Sequence, residues 1–257
     1  MLEMNRLHCV DCMVAMRDIP DGYFELAIVD PPYGVGSITY APGKRIGAVG
    51  GFIDKYDVVM SVINMGQRAS VKRKALPSVV HGDVSKTTIR DFGDENVSPP
   101  PEYFTELFRV SKNQIIWGGN YFLLPPSRCF VIWRKTTVAE TFSMAMAEYA
   151  WCSFNDNAKV IEAAPQGTGA DPRFHPTQKP VVLYEKLLQW FAKPGDKILD
   201  THAGSASCAV ACIRKGFDWL AFEINESYCD KAQERISLAW AAREAERSQT
   251  GMEEFIA

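Results

Sequence analysis

Short apolar runs that stop on an acid or a glycine turn recur along this chain, and they restrict it to one fold class. Phe24–Val29 (F-E-L-A-I-V) stops at Asp30, and residues 113–117 stop at Gly118-Gly119-Asn120. Residues 197–199 stop at Asp200, and residues 219–224 carry Glu223 near their end. Runs this short, bounded by turn formers, read as buried strands. Further strands are expected at 129–133 and 144–154. Between the runs the apolar spacing turns helical. Tyr103, Phe104, Leu107 and Phe108 follow Pro99-Pro100-Pro101, prolines that suit a helix start. Helices are also expected at 180–192, at 206–215 and from Glu226 onward, the last with a frayed, charged end. Strands alternating with helices predict an α/β fold, a single domain around a mostly parallel sheet.

Residues 35–98 interrupt this pattern. Six glycines fall from Gly34 to Gly51 inclusive, and no periodicity returns before the prolines. A connection this long inside a compact domain is functional or mobile, so a mobile insertion is expected. It also holds the chain's one basic stretch: Arg68, Lys72, Arg73, Lys74, Lys86 and Arg90 face only Asp83. A net charge of −3 gives no global basic field, so nucleic-acid binding needs such a local patch, with Lys72, Arg73 and Lys74 its densest part. A run of charge that is merely solvated would look the same in sequence.

No segment approaches the roughly 20 apolar residues of a membrane span, and the N-terminus has no secretory core. Seven scattered cysteines fit a reducing compartment better than a disulfide framework, so a cytoplasmic protein is expected. Cys9 and Cys12 form a C-x-x-C, but zinc needs two more ligands. Cys208 and Cys212, four apart on an expected helix, read as packing, so no metal is expected.

K-I-L-D-T-H-A-G-S-A-S, residues 197–207, is a strand, a tight turn and a helix of small residues. In a parallel sheet such a turn lies at the carboxyl edge, where ligands bind. Gly204 lets the backbone approach a ligand closely, and Glu223 is placed to accept hydrogen bonds from a ribose diol. Gly204 is the only glycine between Asp200 and Gly216, so the dinucleotide fingerprint is absent. An adenosyl ligand without phosphates suits this turn better than a dinucleotide does. An ordinary α/β turn with no ligand is also consistent with these residues alone.

With D-P-P-Y at 30–33 ahead of that turn and H-P-T-Q-K-P at 175–180 just before it, the chain resembles the S-adenosylmethionine-dependent amino-group DNA methyltransferases, in their beta arrangement. The resemblance covers 7–34 and 102–236, and leaves 35–98 out. It implies a Rossmann-like methyltransferase fold, DNA as partner and S-adenosylmethionine as cofactor, and it allows a homodimer. Asp30, Pro31, Pro32 and Tyr33 match the catalytic motif. Asp200, Gly204 and Glu223 match the cofactor turn and ribose acid, and Asp11 matches an acid near the cofactor's adenine. Thr177 and Lys179 match the element beside the methionine moiety, and Trp117-Gly118-Gly119-Asn120 a strand end near the target pocket.

The chemistry explains the residue types. An exocyclic amine on a base is a poor nucleophile because its lone pair is conjugated into the ring. A carboxylate and a neighbouring backbone carbonyl accept its two N–H bonds and favour a tetrahedral nitrogen, which is transition-state electrostatics. Pro31 and Pro32 stiffen the turn and present acceptors only. Tyr33 offers a ring to a base taken out of the stack.

Two departures fall in the cofactor turn: His202 stands where the family has another aromatic residue, and Ala206 where it has a second glycine. His202 offers a ring face to the cofactor or is an incidental turn residue. Asp ahead of P-P-Y favours adenine N6 over cytosine N4, which is the runner-up. An RNA base as the target is a third possibility, and an inactive nucleic-acid-binding relative of the same fold is a fourth. Target recognition falls to 35–98, to a partner subunit, or to a short region within 135–175.

Overall fold

The computed structural model describes residues 2–34, 97–141, 144–165 and 173–256. The chain divides into two compact units, Met1–Tyr33 with Pro99–Ala257, and Gly34–Ser98. The sheet and all the helices below belong to the first. Lys72, Arg73 and Lys74, the rest of the expected insertion up to 96, and the loop at 166–172 lie outside the described residues.

Eight strands form one sheet: β1 (Arg6–Cys9), β2 (Phe24–Val29), β3 (Ser111–Trp117), β4 (Phe130–Lys135), β5 (Ala147–Cys152), β6 (Lys159–Ala163), β7 (Lys197–Asp200) and β8 (Asp218–Glu223). Their order is β1-β8-β7-β2-β3-β5-β4-β6. β5 runs antiparallel to both β3 and β4, and every other pairing is parallel. The fold is therefore α/β with a mostly parallel sheet.

The helices are α1 (Cys12–Met16), α2 (Pro101–Val110), α3 (Val181–Phe191), α4 (Ser207–Lys215) and α5 (Glu226–Ile256). The period of two along β2 assigns its two faces. Leu26 and Ile28 join the core beneath α3, α4 and α5, whereas Ala27 and Val29 join the core beneath α1 and α2. Burial on both faces is why the central strands read as unbroken apolar runs rather than alternating ones. Among the described residues no helix is long and apolar enough to cross a membrane.

Four features differ from the sequence expectations. The strand expected at 144–154 is shorter, Ala147–Cys152. Lys159–Ala163 forms an unexpected strand, β6, on the sheet edge beside β4. K-V-I-E-A gives little sign of it, having only a half-buried face and little apolar length. α5 continues to Ile256 rather than fraying early. Cys9 and Cys229, 220 residues apart, are joined as a disulfide that ties β1 to α5, so the C-x-x-C does not act as a unit.

The chain leaves β2 toward β3 on one side and leaves β7 toward β8 on the other. β2 and β7 are adjacent, with Ala27 opposite Leu199. Their carboxyl ends therefore flank the switch point of the sheet, where open α/β folds bind ligands. Asp30 and Asp200 stand at those two ends.

Candidate active site

Asp30 follows the last residue of β2, and both of its carboxylate oxygens are engaged. Oδ1 accepts the Tyr33 hydroxyl at 2.7 Å, and Oδ2 accepts the Lys179 ammonium. Lys179 sits just before α3 with its side chain only 4% exposed, so a solvated helix-start lysine is ruled out. It also reaches the Tyr33 hydroxyl and Glu148 Oε2, each at 3.3 Å. Burial alone would lower the pKa of this ammonium. Asp30 and Glu148 outweigh burial and hold it above the usual lysine range. An ionised carboxylate offers roughly four acceptor sites, so Asp30 retains two for an incoming donor.

Tyr33 is held on several sides. Its ring stacks on Tyr121 with centroids 4.9 Å apart and 15° between planes, and meets Phe122 edge-on at 6.3 Å. Gly118 lies directly against it: a Cβ there would fall 2.1 Å from Tyr33 Cε1. Gly118 also has a left-handed backbone, φ +66°. Both facts demand glycine at the first position after β3. Gly119 is excluded from bearing a side chain too, since a Cβ would lie 2.5 Å from Trp151 Cβ. The W-G-G-N element is thus the floor on which Tyr33 rests.

The turn after β7 is tied to the end of β8. Glu223 Oε2 accepts the Gly204 N–H at 2.7 Å, while Oε1 accepts the N–H groups of Ile224 and Asn225, both at 2.9 Å. Gly204 takes φ +50°, and a Cβ there would lie 3.2 Å from the His175 ring. Ala206 takes φ +59°, a conformation natural to the glycine it replaces. The 175–180 element packs on this turn, with Ser207 Oγ donating to the Lys179 carbonyl at 2.7 Å. Thr177 is exposed and bonds through its hydroxyl to His175 Nδ1 at 3.2 Å.

Asp11 is exposed and caps α1, accepting the Met13 N–H at 2.7 Å. Its position follows Val10, whose N–H bonds to the Glu223 carbonyl at 2.9 Å. Asp11 thus belongs to the same sheet edge as Glu223. Asp200 is 5% exposed, and burial raises its pKa to about 8. Burial lowers that of His202 to about 4, which leaves its imidazole neutral near pH 7. The His202 Nδ1 pairs with Thr201 Oγ1 at 2.9 Å, and its ring meets Tyr103 edge-on at 5.2 Å.

The structure therefore gathers the expected residues into two groups. Asp30, Pro31, Pro32, Tyr33 and Lys179 form one, and Asp200, His202, Gly204 and Glu223 the other. Thr177 belongs to the loop that packs on the second group. Lys179, expected beside the cofactor, makes ion pairs with Asp30 and Glu148. Sequence reasoning missed Glu148 and Tyr121. The signal for Glu148 was an acid inside the apolar run A-E-Y-A-W-C, since a carboxylate in a core strand requires a cationic partner.

The packing around Tyr33 and the burial of Asp200 can each be tested. Gly118→Ala is expected to lower stability by about 1–3 kcal/mol, through overpacking against Tyr33 and a left-handed alanine. Urea unfolding checks this, and an unchanged midpoint would mean that the Tyr33 ring yields freely. The second test concerns pH. The contribution of protonated Asp200 is full below its ordinary value of 3.8 and declines as pH rises through 8. That of neutral His202 is full above its ordinary value of 6.5 and declines as pH falls through 4. Over pH 4–6.5 the two slopes oppose each other, and above 6.5 only the Asp200 slope remains. Stability should therefore fall from pH 6.5 to 8, and Asp200→Asn should flatten that fall in urea titrations at each pH.

Comparison with known proteins bears on the fold and on residues 116–234. Residues 116–234 match the DNA methylase family (N6_N4_Mtase). The Escherichia coli (strain K12) protein YubD is 37% identical over 65 residues, 25% of this chain and 29% of its own length. The DNA adenine methyltransferase YhdJ of the same organism is 35% identical over 65 residues, 25% of this chain and 22% of that protein. These matches span less than a third of either relative. Among solved structures, the complex of M1.HpyAVI with SAM has a TM-score of 0.50 at 14% identity, covering 90% of this chain and 98% of that one. PvuII DNA methyltransferase, cytosine-N4-specific, has a TM-score of 0.50 at 12% identity, covering 92% and 91%. Such identities speak to the fold alone, and the fold is shared over nearly the whole length. Residues 116–234 are thus similar to the DNA methylase family, and the fold that carries them is one shared with solved DNA methyltransferases.

Proposed function

We propose that this protein transfers a methyl group from S-adenosylmethionine to an exocyclic amine of a base in DNA, with adenine N6 the target. The observation that carries the reading is the placement of Asp30 and the Asp200–Gly204 turn at adjacent strand ends flanking one switch point. One end offers acceptors to an amine, and the other offers a close-approach turn beside an acid.

The residues of the turn fit the cofactor. Three backbone N–H groups occupy Glu223, which leaves about one of its four acceptor sites for a ribose hydroxyl. His202 is neutral, so it sets no positive charge against a sulfonium. Gly204 lets the His175 ring pack against the turn where a side chain would stand. Bound S-adenosylmethionine supplies an electrophilic methyl group.

This chain's residues supply the rest. Asp30 accepts one N–H of the target amine at a free site of its carboxylate. The Pro31–Pro32 turn presents a carbonyl to the other and has no N–H of its own to compete. Tyr33, fixed by Gly118 and Tyr121, walls the pocket with an aromatic surface. Preorganised acceptors of this kind act where charge develops, and they require no reorganisation at the moment of reaction. Asp at the first position of the motif and the 35% identity to an adenine methyltransferase favour adenine N6. Cytosine N4 is the runner-up.

The direct test is nucleoside analysis of DNA incubated with the protein and S-adenosylmethionine. N6-methyladenine is expected. N4-methylcytosine would move the reading to its runner-up, and no modified base on any DNA would overturn it. Asp30→Ala should abolish transfer while cofactor affinity stays within a few-fold. Glu223→Ala should instead weaken cofactor binding by roughly 1.5–3 kcal/mol, or about ten- to 150-fold. Calorimetry separates the two variants, and equal cofactor affinities would remove Glu223 from the site.

DNA contact is assigned to the basic stretch around Lys72, Arg73 and Lys74. Phosphate contacts release counterions, so log affinity should fall with log salt at about −0.9 per phosphate neutralised. Replacing the three with alanine should make that slope shallower by up to about 3. A wild-type slope and affinity in the triple variant would leave the stretch as mere surface.

A further inference from the structure

Glu148 lies on β5, opposite Trp133 of β4, and lines up diagonally with Lys135 at the end of β4. Its Oε1 takes the Lys135 ammonium at 2.7 Å and its Oε2 takes Lys179 at 3.3 Å. The side chains of Lys135 and Lys179 are 6% and 4% exposed. Lys135, Glu148, Lys179 and Asp30 therefore form a row of alternating charge that sums to zero, its two ammonium groups buried and its two carboxylates partly so.

An ammonium has three donors, and those of Lys179 have three oxygens within reach: Asp30 Oδ2, the Tyr33 hydroxyl and Glu148 Oε2. Its Nζ also lies 5.3 Å from the Trp117 ring centroid and 5.8 Å from that of Tyr33. Tyr184 of α3 and the buried Asp200 are further titratable groups that act on it. Remove Glu148 and the ammonium keeps Asp30 but loses the carboxylate that pulls it from the β5 side.

We propose that Glu148 is a positioning residue for methyl transfer: it fixes the Lys179 ammonium on Oδ2 of Asp30, and so fixes which acceptor sites of that carboxylate remain for the amine. The assignment rests on the role given to Asp30 above. Glu148 itself has no contact with the amine in this arrangement and acts only through Lys179.

The test uses Glu148→Gln and the double variant Glu148→Gln/Lys135→Met in the full chain. The single variant leaves an unpaired buried cation, which is costly whatever Glu148 does for chemistry. The double variant restores charge balance, with Lys179 facing Asp30 alone, so its stability should return toward wild type. Its kcat should nonetheless stay about 100-fold down, the scale set by misplacing a reacting group by about an ångström, with KM for DNA and cofactor affinity unchanged. A purely structural role predicts that kcat returns together with stability, and that result would overturn the proposal. So would loss of folding in both variants, which would make Glu148 a residue of the fold itself.

A second readout needs no activity. The Lys179 ammonium, followed by nitrogen NMR, should stay charged above the usual lysine pKa of about 10.4 in the wild type. It should titrate at lower pH in the double variant, because the field of Glu148 is gone. Unchanged titration would overturn the proposal. If the wild-type protein methylates no DNA at all, the functional reading fails, while this titration still decides whether Glu148 acts on the Lys179 ammonium.

Discussion

The chain departs from β2 toward one edge of the sheet and from β7 toward the other, and this divergence fixes where a ligand can sit. Between adjacent parallel strands whose connections leave in the same direction, the crossover helix covers the carboxyl ends. Where the connections diverge, a crevice remains open. Asp30 and Asp200 end the two strands concerned, so the D-P-P-Y turn and the Asp200–Gly204 turn need no long loop to bring them together. Rigid strand ends hold catalytic groups more accurately than loops do. The glycines beside them then settle the spacing: Gly118 allows Tyr33 to close on β3, and Gly204 allows the 175–180 element to close on the turn.

The two halves of the crevice have opposite electrostatic characters. Around Asp30, four charges alternate and cancel, drawn from β2, β4, β5 and the start of α3. Burying them is costly unless each has its partner, and the ring faces of Trp117 and Tyr33 add to the support of the central ammonium. Around the turn, burial pushes Asp200 toward its protonated form and His202 toward its neutral one. The charge fixed against this turn is instead that of Arg235, which donates to the Ser205 carbonyl at 2.7 Å and to Ser207 Oγ at 2.9 Å. The Lys179 ammonium, the nearest cation of this cluster, is committed to Asp30 and Glu148. The ion pair that orients the Asp30 carboxylate thus also keeps the Lys179 charge satisfied.

How much of this could be read from the sequence depended on how far apart the interacting residues lie. Asp30, Pro31, Pro32 and Tyr33 are contiguous, and a strand that ends on an acid and two prolines is a local signal. Gly204 and Glu223 were legible for a related reason, because one strand-turn-helix-strand unit sets their separation. β6 was not legible, since an edge strand needs only one apolar face and shows little of it in five residues. The pairing of Cys9 with Cys229 across 220 residues left no local trace either.

Lys179 shows where the boundary falls. Its motif was visible and its burial was not, because what buries it comes from elsewhere: Asp30 lies 149 residues away, and Glu148 lies on a strand read only as core. A lysine before a helix looks solvated until the sheet places two carboxylates against it. The apolar strand that carries Glu148 held half of the necessary information, since a carboxylate there must find a cation. It could not say which cation, because Lys135 and Lys179 both qualify by charge and both bind it. Pairing in such a row is decided by the register of β4 against β5 and by the start of α3, and neither is a property of any one segment. The motifs thus name the candidate groups, whereas the order of strands in the sheet decides which charges hold them in place.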